Sequence, residues 1–290
     1  MKRAVFRDYD QVELDRQYDQ RAWAPNAIEL INRYGADSAA VRQRTGEPDT
    51  YEYGDTHAES LDFFRTHRAP APIHVFIHGG AWRLLSARDS AFPAETFTRA
   101  GAHYVALDFA LLPVVALDQM VEQVRAAVAW LYRHADQVGG DRTRIFVSGH
   151  SSGAHLAAGV ATTDWKARFG LPQDVVKGAL CCSGIYDLEP VRLSSRNDYV
   201  QLDAALVETL SPIRHVANLR CPIAVGVGEG ESDEFKRQAR EFATAAGRHG
   251  APVDWFEGAG LNHFEIVTTL ASPAGLLGRI ALHQMGLGLG

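Results

Sequence analysis

The sequence contains few cysteines and no spacing that would place them around a metal ion. Only 3 of its 290 residues are cysteine. Cys181 and Cys182 are adjacent in an apolar run, and Cys221 stands alone. Neighbouring residues of a strand point to opposite faces of the sheet, so one metal site could not use both members of the pair without a break in that strand. Because CxxC spacing is also absent, we expect buried free thiols.

The sequence also lacks an excess of positive charge. Its 29 Lys and Arg residues are outnumbered by 35 Asp and Glu residues, which gives a formal net charge of −6. A nucleic-acid-binding protein usually carries a basic surface, and a polybasic segment is what holds a protein to an anionic membrane. The charge therefore argues against both classes of partner. The hydrophobic content of 46% and the charged content of 22% are those of an ordinary globular protein.

No apolar stretch is long enough to cross a bilayer. The longest, residues 104–117, is interrupted by Asp108 and Pro113. Charged residues interrupt the first ten positions, so this part of the sequence does not have the apolar core of a signal peptide. We therefore expect a cytoplasmic protein. A homo-oligomer is compatible with the sequence, which does not determine the oligomeric state.

Short apolar runs alternate with segments of helical periodicity from residue 73 onward. The runs lack a regular alternation of polar and apolar residues, which is typical of strands buried on both faces of a parallel sheet. Together with the helices between them, they predict an α/β fold with a mainly parallel sheet and helices on both faces. The predicted strands are 73–77, 103–109, 144–148, 176–183, 223–227 and 253–256, and the predicted helices are 117–134, 154–161 and 234–247.

The N-terminal part and one later segment fall outside this pattern. Residues 9–34 have apolar side chains scattered among charges, which favours helices packed on the outside of the core. Residues 35–50 are polar and rich in turn-forming residues, which predicts a loop, and residues 51–64 alternate weakly, which predicts a hairpin. The predicted organisation is one domain over residues 1–290, an N-terminal helical extension over 1–50 and a small cap over 188–215.

The segment Gly149–Gly153 matches the pattern G-x-S-x-G and lies between a predicted strand and a predicted helix. A nucleophile elbow requires this context, because its sharp turn holds the central serine in a strained conformation with the hydroxyl exposed. Ser151 is the candidate nucleophile, and the backbone N–H of Ser152 is a candidate donor to the reacting oxygen. The alternative is an ordinary strand-to-helix turn in which a serine caps the helix.

A second glycine-rich turn, His78–Trp82, follows the predicted strand at 73–77. Such a turn can direct backbone N–H groups toward the oxyanion of a tetrahedral intermediate, and glycine permits the close approach because it has no Cβ. Gly80 and Ala81 are the expected donors on this turn. Trp82 either lines the substrate pocket or packs against the protein. The full predicted oxyanion hole comprises Gly79, which shapes the turn, Gly80, Ala81 and Ser152.

A serine hydroxyl is a weak nucleophile until a positioned base accepts its proton. With a G-x-S-x-G elbow of this kind, the base is a histidine that comes last in the chain order serine, acid, histidine. His263 follows the last predicted strand in a glycine-containing loop, which favours it as the base. His155 lies one helical turn beyond Ser151, and His78 lies in the glycine-rich turn, so we expect both to be structural.

The acid that orients the histidine is expected in the loop after the predicted strand at 223–227. Asp187, which follows another strand, is an outside candidate. Acidic residues also suit the beginning of a helix, so a solvated helix start explains most of the acids in this loop. Spacing alone does not separate the four candidates in the loop, which are Glu229, Glu231, Asp233 and Glu234.

Several longer motifs give the sequence a resemblance to a known family. An HGGxW motif occupies residues 78–82, the elbow lies in GHSSGAHLAA at 149–158, and SGIYDLEP, EFKRQ and HFEIV lie at 183–190, 234–238 and 263–267. Over residues 73–270 the sequence resembles the arylformamidase (kynurenine formamidase) branch of the α/β-hydrolase family. The resemblance implies an α/β-hydrolase fold.

The resemblance also implies roles for individual residues. The family's serine nucleophile falls on Ser151 and its histidine on His263. Its acid, an aspartate three residues before the EF of EFxRQ, falls on Glu231, which ranks this residue first among the four acids. Glutamate has one more methylene than that aspartate, and Ser152 stands where alanine is more usual. The residues expected to contact the substrate are Trp82 and Tyr186.

Together these features predict a serine hydrolase that cleaves a small-molecule acyl amide or ester and needs no metal or organic cofactor. The resemblance implies an aryl formamide of the N-formylkynurenine type as substrate; the alternative is a carboxylesterase acting on short-chain or aryl esters. A non-catalytic binding protein on a hydrolase scaffold would be expected to lack the serine or the histidine, and this sequence has both. The acyl pocket is expected to involve residues 188–215 and the N-terminal region.

Overall fold

Eight strands form one sheet in the computed structural model, which describes residues 3–288. Their order is β1-β2-β4-β3-β5-β6-β7-β8. The first two strands are antiparallel to their neighbours, and every later pair is parallel. The sheet is thus mainly parallel, as the sequence predicts. The strands are β1 Asp49–Glu52, β2 Ser60–Phe64, β3 Ala71–Ile77, β4 His103–Leu107, β5 Gly140–His150, β6 Val176–Cys182, β7 Ile223–Gly228 and β8 Val253–Gly258.

Helices cover both faces of this sheet, and the three predicted from periodicity are present with slightly different bounds. No helix within residues 3–288 is both long and apolar enough to cross a membrane. Short 3₁₀ helices occupy Gln20–Trp23, Ala87–Ser90, Ala135–Val138, Pro212–Asn218 and Ile266–Ala271. The α-helices are α1 Gln11–Tyr18, α2 Ala27–Thr45, α3 Ala94–Ala100, α4 Leu117–His134, α5 Ser152–Ala161, α6 Trp165–Phe169, α7 Glu189–Leu193, α8 Asn197–Val200, α9 Ala204–Leu210, α10 Asp233–Arg248 and α11 Leu276–Gln284.

The central strands are buried on both faces. Strands β3, β4 and β7 are buried along their whole length, and successive side chains belong to two different apolar clusters, as Val75 and Phe76 do on β3. Cys181 and Cys182 divide between the same two clusters, and with Cys221 they are buried free thiols. The expectation for the cysteines is therefore confirmed. The arrangement also explains why the strands read as continuous apolar runs.

The loop predicted for residues 35–50 is wrong except at 46–48, because α2 continues to Thr45 and β1 begins at Asp49. Gly35 suggested a break, but it lies inside the helix and faces the helix Ala87–Ser90. A Cβ at Gly35 would lie 3.1 Å from Oδ1 of Asp89, so the residue is small because of tertiary packing. The predicted hairpin is present as β1 and β2, which pair antiparallel.

The N-terminal helices are joined to the carboxyl ends of the later strands by buried polar contacts. The Tyr18 hydroxyl donates to Glu234 Oε1 (3.0 Å), and Gln20 Nε2 donates to Ser232 Oγ (2.7 Å). The segment 188–215 forms three short α-helices and the beginning of the 3₁₀ helix Pro212–Asn218. It also contacts α1, since the N–H of Ser195 donates to Asp15 Oδ1 (2.7 Å). The N-terminal helices and the segment 188–215 therefore meet near the carboxyl ends of the parallel strands. In α/β proteins this is where functional residues lie.

Buried histidines make the fold sensitive to acid. Burial lowers the pKa of His74 to about 3 and that of His155 to about 4, and it lowers the pKa of His150 well below 6.5. The unfolded chain binds protons on these groups below about pH 6.5, whereas the folded protein does not until far lower pH. Stability is therefore full above about pH 6.5 and falls as the pH decreases, by roughly 2 kcal/mol per histidine at pH 5.

Urea unfolding at pH 7.5 and pH 5.0 measures this loss. We expect a decrease of about 4 kcal/mol or more in the free energy of unfolding. In His74→Gln the side chain can still bond to Ser148 Oγ, its partner at 2.7 Å, but cannot titrate. The variant should lose roughly 2 kcal/mol of the pH dependence. Equal stability of the wild type at the two pH values would contradict this account.

Candidate active site

The turn between β5 and α5 has the conformation of a nucleophile elbow. Ser151 has φ 57° and ψ −124°, and its N–H donates to the carbonyl of Cys182 on the neighbouring strand (3.0 Å). A Cβ at Gly149 would lie 2.1 Å from the carbonyl oxygen of Gly153, and one at Gly153 would lie 2.1 Å from that of Ile77. Only glycine fits both positions, and the strained backbone holds the serine hydroxyl at the sheet edge.

The imidazole of His263 lies against the serine. Its Nε2 is 3.0 Å from Ser151 Oγ, within hydrogen-bond distance. The loop that carries His263 is held by β5, because His150 Nε2 donates to the carbonyl oxygen of His263 (2.8 Å). Burial, and secondly the neighbouring imidazole, lower the pKa of His150 well below 6.5, so His150 remains neutral. A neutral residue that donates to the backbone can hold the loop without adding a charge beside the base.

A buried carboxylate completes the chain of hydrogen bonds. Glu231 Oε2 is 3.0 Å from His263 Nδ1, and the glutamate side chain has no exposed surface. Its other oxygen, Oε1, accepts from the Ser183 hydroxyl (2.5 Å) and from the Gly228 N–H (2.7 Å). These donors compensate for the loss of water around the carboxylate and fix which oxygen faces the imidazole.

The other acids considered from the sequence point elsewhere. Glu229 is exposed and accepts from a backbone N–H in the β8 loop, and Asp233 is exposed at the beginning of α10. Glu234 is buried in an ion pair with an arginine (2.6 Å), and Asp187 contacts another arginine (3.3 Å). Of the candidates, Glu231 is the one that the structure brings to the histidine.

The turn His78–Trp82 packs directly on the elbow. A Cβ at Gly79 would lie 2.8 Å from the carbonyl oxygen of His150, and Gly80 has φ +101° and no room for a side chain. Gly80 and Ala81 line the cleft that contains the serine. The Ser152 hydroxyl accepts from the N–H of Trp82 (3.1 Å), so this hydroxyl links the two turns. The N–H of Ser152 belongs to the first turn of α5, where helical N–H groups lack partners within the helix.

The expectation that Trp82 and Tyr186 contact the substrate is wrong. Trp82 is 1% exposed, and its indole N–H donates to His155 (3.3 Å) under the turn. Tyr186 is fully buried, donates to the carbonyl oxygen of Cys181 (3.1 Å) and stacks on Phe242. Both polar tips are satisfied inside the protein, so both rings support the site from within the core. His155 has the structural role expected of it.

A cleft of about 610 Å³ contains Ser151 and His263. Its walls come from α1, the helix Gln20–Trp23, the glycine-rich turn and residues 195–199. The N-terminal region and part of the segment 188–215 thus line it, as expected. Sequence reasoning missed His150 and Ser183 as supports of the site, although both lie within the motifs that carry the family resemblance.

The geometry suits acyl transfer. The histidine can accept the serine proton while the oxygen adds to a carbonyl, and the carboxylate then faces the imidazolium. Gly80 and Ala81 of the glycine-rich turn line the cleft beside the serine, where an oxyanion would form. Within residues 3–288, no cluster of three or more His, Cys, Asp or Glu side chains is arranged to hold a metal ion.

Comparisons with known proteins agree with this geometry. The family model BD-FAE matches residues 61–244. A kynurenine formamidase of Danio rerio is 31% identical over 94% of this chain and 96% of its own length. Esterase LipC of Mycobacterium tuberculosis is 29% identical over 66% of this chain and 52% of its own length.

A solved structure from Silicibacter sp. TM1040, whose suggested activity is that of a thioesterase, shares the fold. It superposes with a TM-score of 0.82 at 24% identity and covers 93% of this chain and 98% of its own. At that identity the superposition supports the fold alone. The sheet order, the family match and the near full-length relative lead to one assignment. The chain belongs to the BD-FAE family and to the kynurenine formamidase-like branch of the α/β-hydrolases, and it is a serine hydrolase.

Proposed function

We propose that this hydrolase removes the formyl group from aryl formamides of the N-formylkynurenine type, with Ser151, His263 and Glu231 as its catalytic triad. The observation that carries the triad is the unbroken series of contacts from serine to imidazole to carboxylate, each 3.0 Å long, at the base of the cleft. The substrate class is supported by the similarity to kynurenine formamidase along nearly the whole chain.

The first half of the reaction forms an acyl-enzyme. Ser151 Oγ attacks the formyl carbon while His263 Nε2 accepts the hydroxyl proton. The resulting oxyanion accepts hydrogen bonds from the N–H groups of Gly80, Ala81 and Ser152. The carbon–nitrogen bond then breaks as His263 returns the proton to the departing nitrogen, and the arylamine leaves.

The second half regenerates the serine. A water molecule attacks the formyl carbon of the ester and gives one proton to His263. The carbon–oxygen bond to Ser151 breaks, and the serine oxygen takes the proton from the imidazole. Formic acid leaves with the oxygen and the remaining proton of the water and ionises to formate in solution. Glu231 keeps His263 Nδ1 protonated through both halves, so that Nε2 faces the serine as the acceptor.

A carboxylesterase is the second candidate, because the same atoms would cleave an ester and the chain is also similar to an esterase. The two candidates differ in the ratio of kcat/KM values for N-formylkynurenine and phenyl acetate. We expect the formamide to be preferred by about 100-fold or more. N-acetylkynurenine is the matched control, since its one additional methyl group should reduce kcat/KM by roughly 10- to 200-fold in a site that fits formyl.

Preference for phenyl acetate would instead favour the carboxylesterase. A non-catalytic protein would turn over none of the three compounds. It would also fail to form an adduct at Ser151 with a fluorophosphonate, which reacts with activated serines.

A further inference from the structure

Four arginines line the cleft, and two of them lack a carboxylate partner. Arg21 pairs with Asp19 (2.8 Å), and Arg16 pairs with Glu13 (3.4 Å). The other two, Arg83 and Arg196, take part in no ion pair within residues 3–288. The cleft lining holds these four arginines and two carboxylates, Asp15 and Asp19, so positive charge is in excess there.

Arg196 is held in place but is not fully satisfied. Its Nη2 donates to the carbonyl oxygen of Tyr18, and its guanidinium lies 5.6 Å from the centroid of the Tyr18 ring. Tyr18 is itself fixed by its bond to Glu234. The other terminal nitrogen of Arg196, Nη1, is buried and has no hydrogen-bond partner among residues 3–288. A buried N–H group without an acceptor is costly, and an acceptor bound beside Arg196, which lines the cleft, would relieve this cost.

The two carboxylates of the cleft make hydrogen bonds with other residues. Asp19 accepts from both Nε and Nη2 of Arg21, and Asp15 accepts from the N–H of Ser195 and from Gln11. Asp19 lies close enough to Arg196 for their charges to interact, but within residues 3–288 neither carboxylate accepts a hydrogen bond from Arg196. A planar guanidinium suits a carboxylate or a phosphate, because two parallel N–H groups can meet two oxygens. Of the two groups, the proposed formamide substrate carries the carboxylate.

Arg83 adds a second positive charge in the same cleft. Its guanidinium lies 4.4 Å from the centroid of the Tyr199 ring. Tyr34 and Phe264 contribute further aromatic surface to the lining. The cleft thus combines flat apolar faces, which suit an aryl group, with an excess of positive charge, which suits an anion.

We propose that Arg196 binds the carboxylate of the substrate and that this contact selects aryl amides or esters that carry one. The inference rests on the proposed function for its formamide substrates. Because it concerns only the negative charge of the substrate, it can also be tested on esters. Arg83 assists through its charge. Arg196 is then a specificity-determining residue that acts in substrate binding and takes no part in bond breaking.

The test compares substrates with and without the carboxylate. N-formylkynurenine is paired with 2-formamidoacetophenone, which lacks the amino-acid group, and 4-acetoxybenzoate is paired with phenyl acetate. For Arg196→Gln we expect KM for the carboxylate-bearing member to rise about 10- to 100-fold with kcat within about twofold. The uncharged member should change by less than about twofold in kcat/KM, and Arg196→Lys should recover part of the loss because it restores the charge.

Arg192→Gln is the matched control. Arg192 lies four residues earlier in the same segment, pairs with Glu189 at the surface and does not line the cleft. The Arg192→Gln variant should have unchanged kcat and KM for both substrate pairs. An equal loss on charged and uncharged members in Arg196→Gln would show a structural role and overturn the proposal, and so would no loss on either. If the wild type hydrolyses no formamide, the proposed substrate fails, while the ester pair still decides the role of Arg196.

Discussion

Ser151→Ala is expected to lower kcat for N-formylkynurenine and for phenyl acetate by about 10⁴-fold or more. The substitution removes the one oxygen that lies 3.0 Å from His263 Nε2 and could form the acyl bond. What remains is the cleft and the N–H groups around it, which still bind and polarise a carbonyl. Steady-state rates with both substrates, together with intact-mass analysis after fluorophosphonate treatment, measure the effect, and no adduct is expected.

The fold should survive this change. Alanine keeps a Cβ at the position with φ 57°, so the backbone strain of the elbow is unaltered. The N–H of residue 151 can still donate to Cys182, and thermal unfolding should therefore occur close to the wild-type temperature. A loss of activity with an intact fold would then report on the chemistry alone.

Ser152→Ala is the matched control for this experiment. The Ser152 hydroxyl accepts from the N–H of Trp82, so removing the hydroxyl should loosen the glycine-rich turn. We expect kcat to decrease by no more than about tenfold. The fluorophosphonate adduct at Ser151 should still form. Full activity of Ser151→Ala, or labelling of that variant at residue 152, would refute the assignment of the nucleophile.

The features that could be predicted from the sequence are those whose causes are local. Gly149 and Gly153 are required because strand, turn and helix approach within a few residues of each other. The central strands are visible as apolar runs because both of their faces are covered. The elbow, its serine and the mainly parallel sheet around it therefore follow from short patterns and their spacing.

The features that could not be predicted depend on contacts between distant parts of the chain. Arg196 and Tyr18 are 178 positions apart in sequence, yet their contact builds one wall of the cleft. Gly35 suggests a break until its neighbour Asp89 is known. Trp82 and Tyr186 lie in the right motifs, but the directions of their side chains depend on backbone turns and on buried acceptors that periodicity does not encode.

The choice among the four clustered acids lies between these two cases. All four are acidic residues within six positions of the sequence, so neither residue type nor spacing distinguishes them. The structure separates them because the chain turns after β7, and the Gly228 N–H then binds Glu231 inside the protein. Glu229 and Asp233, two residues to either side, remain exposed. This difference leads to a test of the acid that uses its neighbours as controls.

Glu231→Gln is expected to lower kcat by roughly 10³- to 10⁴-fold, because an amide imposes the wrong tautomer on the imidazole. The fixed N–H of Gly228 requires an acceptor at the Oε1 position, so the amide NH₂ must face His263 Nδ1. Nδ1 then has to accept, which leaves the proton on Nε2, where it prevents uptake of the Ser151 proton.

Glu231→Asp asks whether the extra methylene is needed here, since the resembling family has aspartate at this position. The shorter side chain cannot reach His263 while keeping the bonds from Ser183 and Gly228, each now 2.5 to 2.7 Å long. We expect an intermediate loss of about 10- to 100-fold, which is the cost of a misplaced group. Glu229→Gln and Asp233→Asn should keep kcat within about twofold, because neither carboxylate contacts the imidazole. If one of these two variants lost activity while Glu231→Gln kept it, the acid would be that residue, and the hydrogen bond from His263 to Glu231 would have a structural role only.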